Sequence, residues 1–164
     1  MKWLLSITVL ALLAMSCSDS GTSPESRNFN LKFSYGVNAR NVLNSFQDTY
    51  TKDLIMDGTA TVSFTLPDSQ LRRISSKMSE INFFNYPDTF VVPTGDTVGV
   101  VTPHSTYIFH VVNNSAVKDL YWSDSIISQD SAAVKLRELI ALIEDIISSN
   151  PKYAQLPPAR GGYL

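Results

Sequence analysis

Two histidines, one cysteine and fifteen carboxylates are the residues from which this 164-residue chain could build chemistry. A serine hydrolase needs a nucleophile, a base within hydrogen-bond reach and an acid that orients the base. His104 and His110 are the only histidines, and no Gly-x-Ser-x-Gly turn presents a serine to them. His104 sits in Pro103-His104-Ser105 and reads as a solvated loop residue. His110 reads as a strand histidine on the face opposite Phe109. Two converging carboxylates can also cut glycosides. Asp48 with Asp53, or Asp124 with Asp130, are the candidate pairs, and His104 is the base that would serve them. Their loop and strand-end positions are those of ordinary solvated acids, and neither pair fits the Asp-x-Asp-x-Asp-Gly calcium loop. Lys52-Asp53 and Lys118-Asp119 read as solvent-facing strand polarity. With no His-Glu-x-x-His and no cysteine pair, no metal site is expected. Gly161-Gly162 has no helix after it to hold a phosphate. No catalytic residue and no cofactor is assigned.

The cysteine carries more meaning. Cys17 follows Met1-Lys2, an apolar run from Trp3 to Met15, and Ser16. A basic tip, about a dozen apolar residues and a small residue before the cut are the parts of a secretory signal over 1–16. The run is shorter than the roughly 20 residues that span a bilayer. This segment resembles a bacterial lipoprotein signal, in which the cysteine is lipidated and becomes the first mature residue. Such signals usually carry Leu three residues before the cysteine; here Ala14 stands there and Leu13 one step further back. Ala14-Met15-Ser16 also suits ordinary signal peptidase at the same bond, which would give a soluble secreted protein. A lone exported thiol invites unwanted pairing, whereas lipidation consumes it. The expectation is a lipid on Cys17 and a membrane-anchored place in the bacterial cell envelope.

Cleavage leaves 148 residues, Cys17 to Leu164, enough for one domain with a core and no disulfide. Lys2 leaves with the signal, so 12 cationic side chains face 15 acidic ones, a formal charge of −3. That near-neutral balance points away from nucleic acid. Residues 17–28 hold no large apolar side chain and form a flexible tether. A single domain is expected over 29–164.

Within it, Phe29, Leu31, Phe33, Tyr35 and Val37 alternate with Asn30, Lys32, Ser34 and Gly36, the period of a half-buried strand. A weaker strand lies within Ser45 to Ile55. Asp57-Gly58 turns the chain into a third, with Ala60, Val62, Phe64 and Leu66 on one face. Pro67 and Asp68 open a helix with Leu71, Ile74, Met78 and Ile81 on its apolar stripe. Pro87 to Pro103 reads as a long loop or irregular edge strand, and Tyr107–Val112 and Val117–Trp122 as a hairpin around Asn113-Asn114-Ser115. Asp130 or Ser131 caps a final helix with Leu136, Leu139, Ile140, Ile143, Ile146 and Ile147 inward and Glu138, Glu144 and Asp145 on the other side. Asn150-Pro151 ends it. The order is β-β-β-α-(loop)-β-β-α, an α+β domain with an antiparallel sheet of four to six strands and both helices on one face.

Aromatics remain. Phe83, Phe84 and Tyr86 crowd a helix end, and Tyr121 and Trp122 point to opposite faces of one strand. They are either core and edge packing or a binding patch for a partner or ligand. The tail from Leu156 to Leu164 mixes stiff prolines with Tyr163 and Leu164, and is expected to dock in extended form near Tyr121 or Trp122 or to be displayed for a partner. Phe33-Ser34-Tyr35-Gly36-Val37, Asn82 to Pro87, Tyr121-Trp122-Ser123 and Leu156 to Tyr163 together resemble a group of uncharacterised bacterial lipoproteins and exported proteins. That resemblance implies one domain and no activity. The functional expectation is a membrane-tethered, non-enzymatic binding or structural module that meets a protein or cell-wall partner. An envelope hydrolase using a carboxylate pair with His104, and an inhibitor or immunity-type protein, are the alternatives.

Overall fold

The computed structural model describes residues 28–93 and 99–164; Cys17, the leader and most of the tether lie outside the described residues, as do positions 94–98 of the expected loop. Alternation builds β1 (Phe29–Tyr35), in which Phe29, Leu31 and Phe33 are buried and Lys32 is exposed. Gly36, at φ 87°, turns the chain into β2 (Asn41–Asn44), and β3 (Thr49–Asp53) and β4 (Thr59–Ser63) continue an antiparallel meander. The Leu54 N–H donates to the Gly58 carbonyl at 2.9 Å and closes the β3–β4 hairpin.

Helix α1 (Asp68–Glu80) buries Leu71, Ile74 and Met78 and stops where Asn82 takes a left-handed conformation. After a 3-10 turn at Phe83–Asn85 come β5 (Thr89–Phe90), β6 (Val100–Asn113) and β7 (Ala116–Ile126). Helix α2 (Ser131–Ser148) starts at Asp130, whose carboxylate accepts from the Ala132 and Ala133 N–H groups at 3.0 Å each. A short α3 (Pro151–Ala154) follows. No helix among the described residues is long and apolar enough to cross a membrane.

The fold is α+β, but the sheet has seven strands in the order β4-β3-β2-β1-β6-β7-β5, not four to six. Element order is β-β-β-β-α-β-β-β-α-α. The expected single strand within Ser45 to Ile55 is a turn followed by β3, and Asn41-Val42-Leu43-Asn44 is a strand that its two asparagines concealed. β5, inside the expected loop, pairs parallel to β7 because β6, antiparallel to β7, returns the chain between the two. Lys118 is buried, donating to the Tyr86 carbonyl and to Asp88, both at 2.5 Å. Asp53 is buried too. Neither is solvent-facing polarity.

One residue row, Val62, Tyr50, Leu43, Phe33, Phe109 and Leu120, crosses six strands on the inner face. It shares one core with Ile74 and Met78 of α1 and the whole expected stripe of α2. The tail docks, but at the other end of the sheet from Tyr121 and Trp122. Leu156 is buried, and Arg160 bridges Ile55, with the Arg160 N–H donating to the Leu54 carbonyl at 3.2 Å.

Candidate functional site

On the sheet face turned away from the helices, the next residue row crosses all seven strands: Thr61, Thr51, Val42, Ser34, Ile108, Tyr121 and Thr89. Among the described residues no helix covers it, and Ile108 and Tyr121 stay 42% and 43% exposed. A parallel row nearer the β6–β7 turn carries Asn44, Lys32, His110 and Asp119. His110 Nδ1 lies 2.7 Å from Asp119 Oδ1, and the exposed ring of Phe46 rests 5.6 Å from the imidazole. Val117, also exposed, adds a further apolar side chain beside Val112. This surface offers hydroxyls, amides and isolated apolar side chains with one lysine and one His–Asp pair. Its exposed apolar side chains, Ile108, Val117 and Tyr121, are spread over β6 and β7 rather than gathered at one point.

The structure separates the five aromatics singled out in the sequence. Phe83 and Trp122 are core. Phe83 meets Phe109 edge-on at 5.1 Å, and Trp122 packs between Tyr107 and Phe90 at 5.5 and 5.4 Å. The Arg137 guanidinium lies 5.2 Å from the Trp122 ring. Phe84 and Tyr86 are half-buried at the end of α1, and the Tyr86 hydroxyl donates to the Ala132 carbonyl at 2.9 Å. Only Tyr121 stands on the open face. They are not one patch.

The acids named as catalytic candidates are engaged in holding the fold. Arg137 grips Asp124 through Nε and Nη2 at 2.9 and 2.6 Å and donates onward to the Ser128 and Ile126 carbonyls. Asp130 caps α2, so the two do not form a free carboxylate pair. His104 lies in β6 rather than a loop and does share a cleft of about 360 Å³ with Asp124, Arg137 and Ser105. There its neighbouring carboxylate is already clamped on both oxygens. Asp53 accepts from the Ile55 N–H and the Tyr163 hydroxyl and has Arg40 Nε at 3.5 Å, which pins the tail. Its bond to Tyr163 pushes that phenol's pKa up. Asp48 occupies the β3 entry turn at φ 49°, with its carbonyl accepting from Phe64. Among the described residues, no three His, Cys, Asp or Glu side chains gather where a metal could sit.

A second cluster was not legible as a site. The Tyr35 and Tyr50 hydroxyls meet at 2.6 Å under the C-terminal half of α2. Burial pushes Tyr35 up to about 12 and Tyr50 higher still. Glu144, expected on the solvent side, is half-buried beside them, and desolvation raises its carboxyl pKa. The periodicity of α2 placed Ile143 and Ile147 inward, but only the packing of α2 against the end of β1 and α3 shows how far Tyr35 and Tyr153 enclose the neighbouring position.

Comparison with family models, with curated proteins and with solved structures finds no match to this chain. The functional reading therefore rests on the residues and their geometry.

Proposed function

We propose that this chain is a lipid-anchored binding module of the bacterial cell envelope, holding a partner on the open face of its sheet without performing catalysis. The membrane part of the reading rests on Cys17 directly after an apolar leader and before a polar tether. The binding part rests on one observation: an uncovered seven-strand face carries exposed Phe46, Ile108, Val117 and Tyr121, while the acids a hydrolase would use are committed to Arg137, the α2 cap and the tail. The described chain enters β1 beside the β6–β7 turn, where the Asn114 N–H donates to the Asn28 carbonyl at 2.6 Å. A lipid on Cys17 would hold that end toward the membrane. The partner is a protein or a cell-wall component, and membership in the group of uncharacterised exported lipoproteins belongs to this same proposal.

Photo-crosslinking in living cells tests it. A photoreactive residue replacing Tyr121 or Ile108 should capture a discrete envelope component, and one replacing Arg72 on the outer side of α1 should not. In the same cells Cys17→Ala should lose the lipid mass and the capture together. Capture from position 72 with none from 108 or 121 would move the contact surface to the helices. Mature wild-type protein that is soluble and unmodified would remove the anchor.

A further inference from the structure

The last turns of α2 border a cavity of about 330 Å³ walled by Tyr35, Tyr153, Glu144, Asp145, Ile147 and Ser148. It lies on the helix side of the sheet, so it is independent of the contact surface assigned above. Three of its features have the same electrical sign. Glu144 is half-buried and receives neither a hydrogen bond nor an ion pair from the described residues. A carboxylate in that position has lost water without gaining a counter-charge. Helix α2 has no basic side chain in its last turn, so the negative end of this 18-residue helix adds to the same sign. Tyrosine rings supply the third feature, because the face of an aromatic ring attracts cations. Tyr153 already shows this: Lys52 Nζ lies 4.8 Å from its ring centroid. That ammonium donates to the Pro157 carbonyl at 3.0 Å.

The wall chemistry also says what kind of cation fits. Glu144 and Asp145 are consecutive on a helix, about 100° apart around its axis, so they do not converge on one small ion. A divalent metal would need several oxygens at one point. The flanks of the Tyr35 and Tyr153 rings instead suit an alkyl stem. The volume is near the lower end of small-molecule sites, about 300 Å³. We propose that this cavity binds an alkylammonium group, with the ammonium against Glu144 and the stem along Tyr35 and Tyr153. The same chemistry is offered by a free diamine and by a lysine side chain of a peptide.

The test is an NMR titration of the full chain in non-ionic detergent, with carboxyl-labelled glutamate and ring-labelled tyrosine. Cadaverine, N-acetyl-lysine methylamide and the neutral N-acetyl-norleucine methylamide are added separately at physiological salt. Either ammonium compound should shift the Glu144, Tyr35 and Tyr153 signals saturably, and norleucine should not. Tighter binding of cadaverine would assign the site to free amines; tighter binding of the lysine derivative would assign it to a peptide. Glu144→Gln should weaken binding by about tenfold or more, because the charge-assisted bond is lost. Tyr153→Leu should weaken it less, with the melting transition of both variants retained. No saturable shift with either amine, an equal response to norleucine, or unchanged binding by Glu144→Gln would overturn the proposal.

Discussion

Ile108 and Phe109 are consecutive in β6, yet Phe109 is sealed between Phe33 and Phe83 while Ile108 lies open beside Tyr121. The same contrast separates Trp122 from Tyr121 in β7. Because side chains alternate, a shift of one residue moves from a row that shares its core with two helices to a row that no other described element covers. The inner row is large and aromatic, which is what a close-packed layer under helices requires. The outer row is mostly Thr and Ser with a few apolar exceptions. A covered face tolerates little change, whereas a residue on the exposed face can be replaced at small cost.

Charge on each face gives the largest test of that contrast. Phe109→Asp should unfold the chain or destabilise it by more than about 4 kcal/mol, because it buries an unpaired carboxylate. Ile143→Asp, on the α2 side of the same core, should do likewise. Ile108→Asp should stay within about 1 kcal/mol of wild type. Urea denaturation compares the three, and similar midpoints for Phe109→Asp and Ile108→Asp would mean that the faces are misassigned. Truncation gives a milder version: Trp122→Ala should cost about 3–5 kcal/mol, and Tyr121→Ala less than about 1 kcal/mol.

The tail sharpens the comparison at the opposite end of the sheet. Removing residues 156–164 takes away buried Leu156 and the Arg160 bridge to Ile55, and should cost about 2 kcal/mol. It should also raise binding of a hydrophobic dye. An unchanged melting temperature would show that the docked tail adds nothing. Gly161 sits at φ 86°, and a Cβ there would lie 2.8 Å from Met56 Sδ. Gly161→Ala should therefore loosen the tail by about 1 kcal/mol, visible as faster amide exchange at Arg160.

The smallest effect concerns Glu144. Burial raises its folded pKa, so the folded state favours the protonated form. That contribution is complete below the carboxyl's unfolded pKa and is lost as pH rises through the folded value. Glu144→Gln should accordingly be more stable than wild type at neutral pH, with the gap closing in acid. A stability difference that does not vary with pH would mean that Glu144 is well solvated.

Helices α1 and α2, β1 and the part of β6 and β7 around their turn were legible because their apolar residues repeat at the period of the element. Leu71, Ile74 and Met78, and the stripe from Leu136 to Ile147, are buried as spaced. The weak strand Asn41–Asn44 and the two-residue β5 were not legible, since so few residues establish no period and their pairing comes from β1 and β7. Lys118 and Asp53 misled for a related reason. Their types argue for solvent, but Asp88 with the Tyr86 carbonyl, and Tyr163 with Arg40, compensate them from distant parts of the chain.

Sequence by itself determined the α+β class and the inward stripes of α1 and α2, and it narrowed the α2 cap to Asp130 or Ser131. These depend on neighbours a few residues apart, and local spacing records them. Only the tertiary structure decided that Phe83 and Trp122 are core while Tyr121 stands outside, that Asp124 belongs to Arg137, and that the tail lies along Ile55. It also enclosed Glu144 with Tyr35 and Tyr153. Each of these joins residues distant in sequence, and which distant groups meet is set by the packing of the whole sheet against its helices.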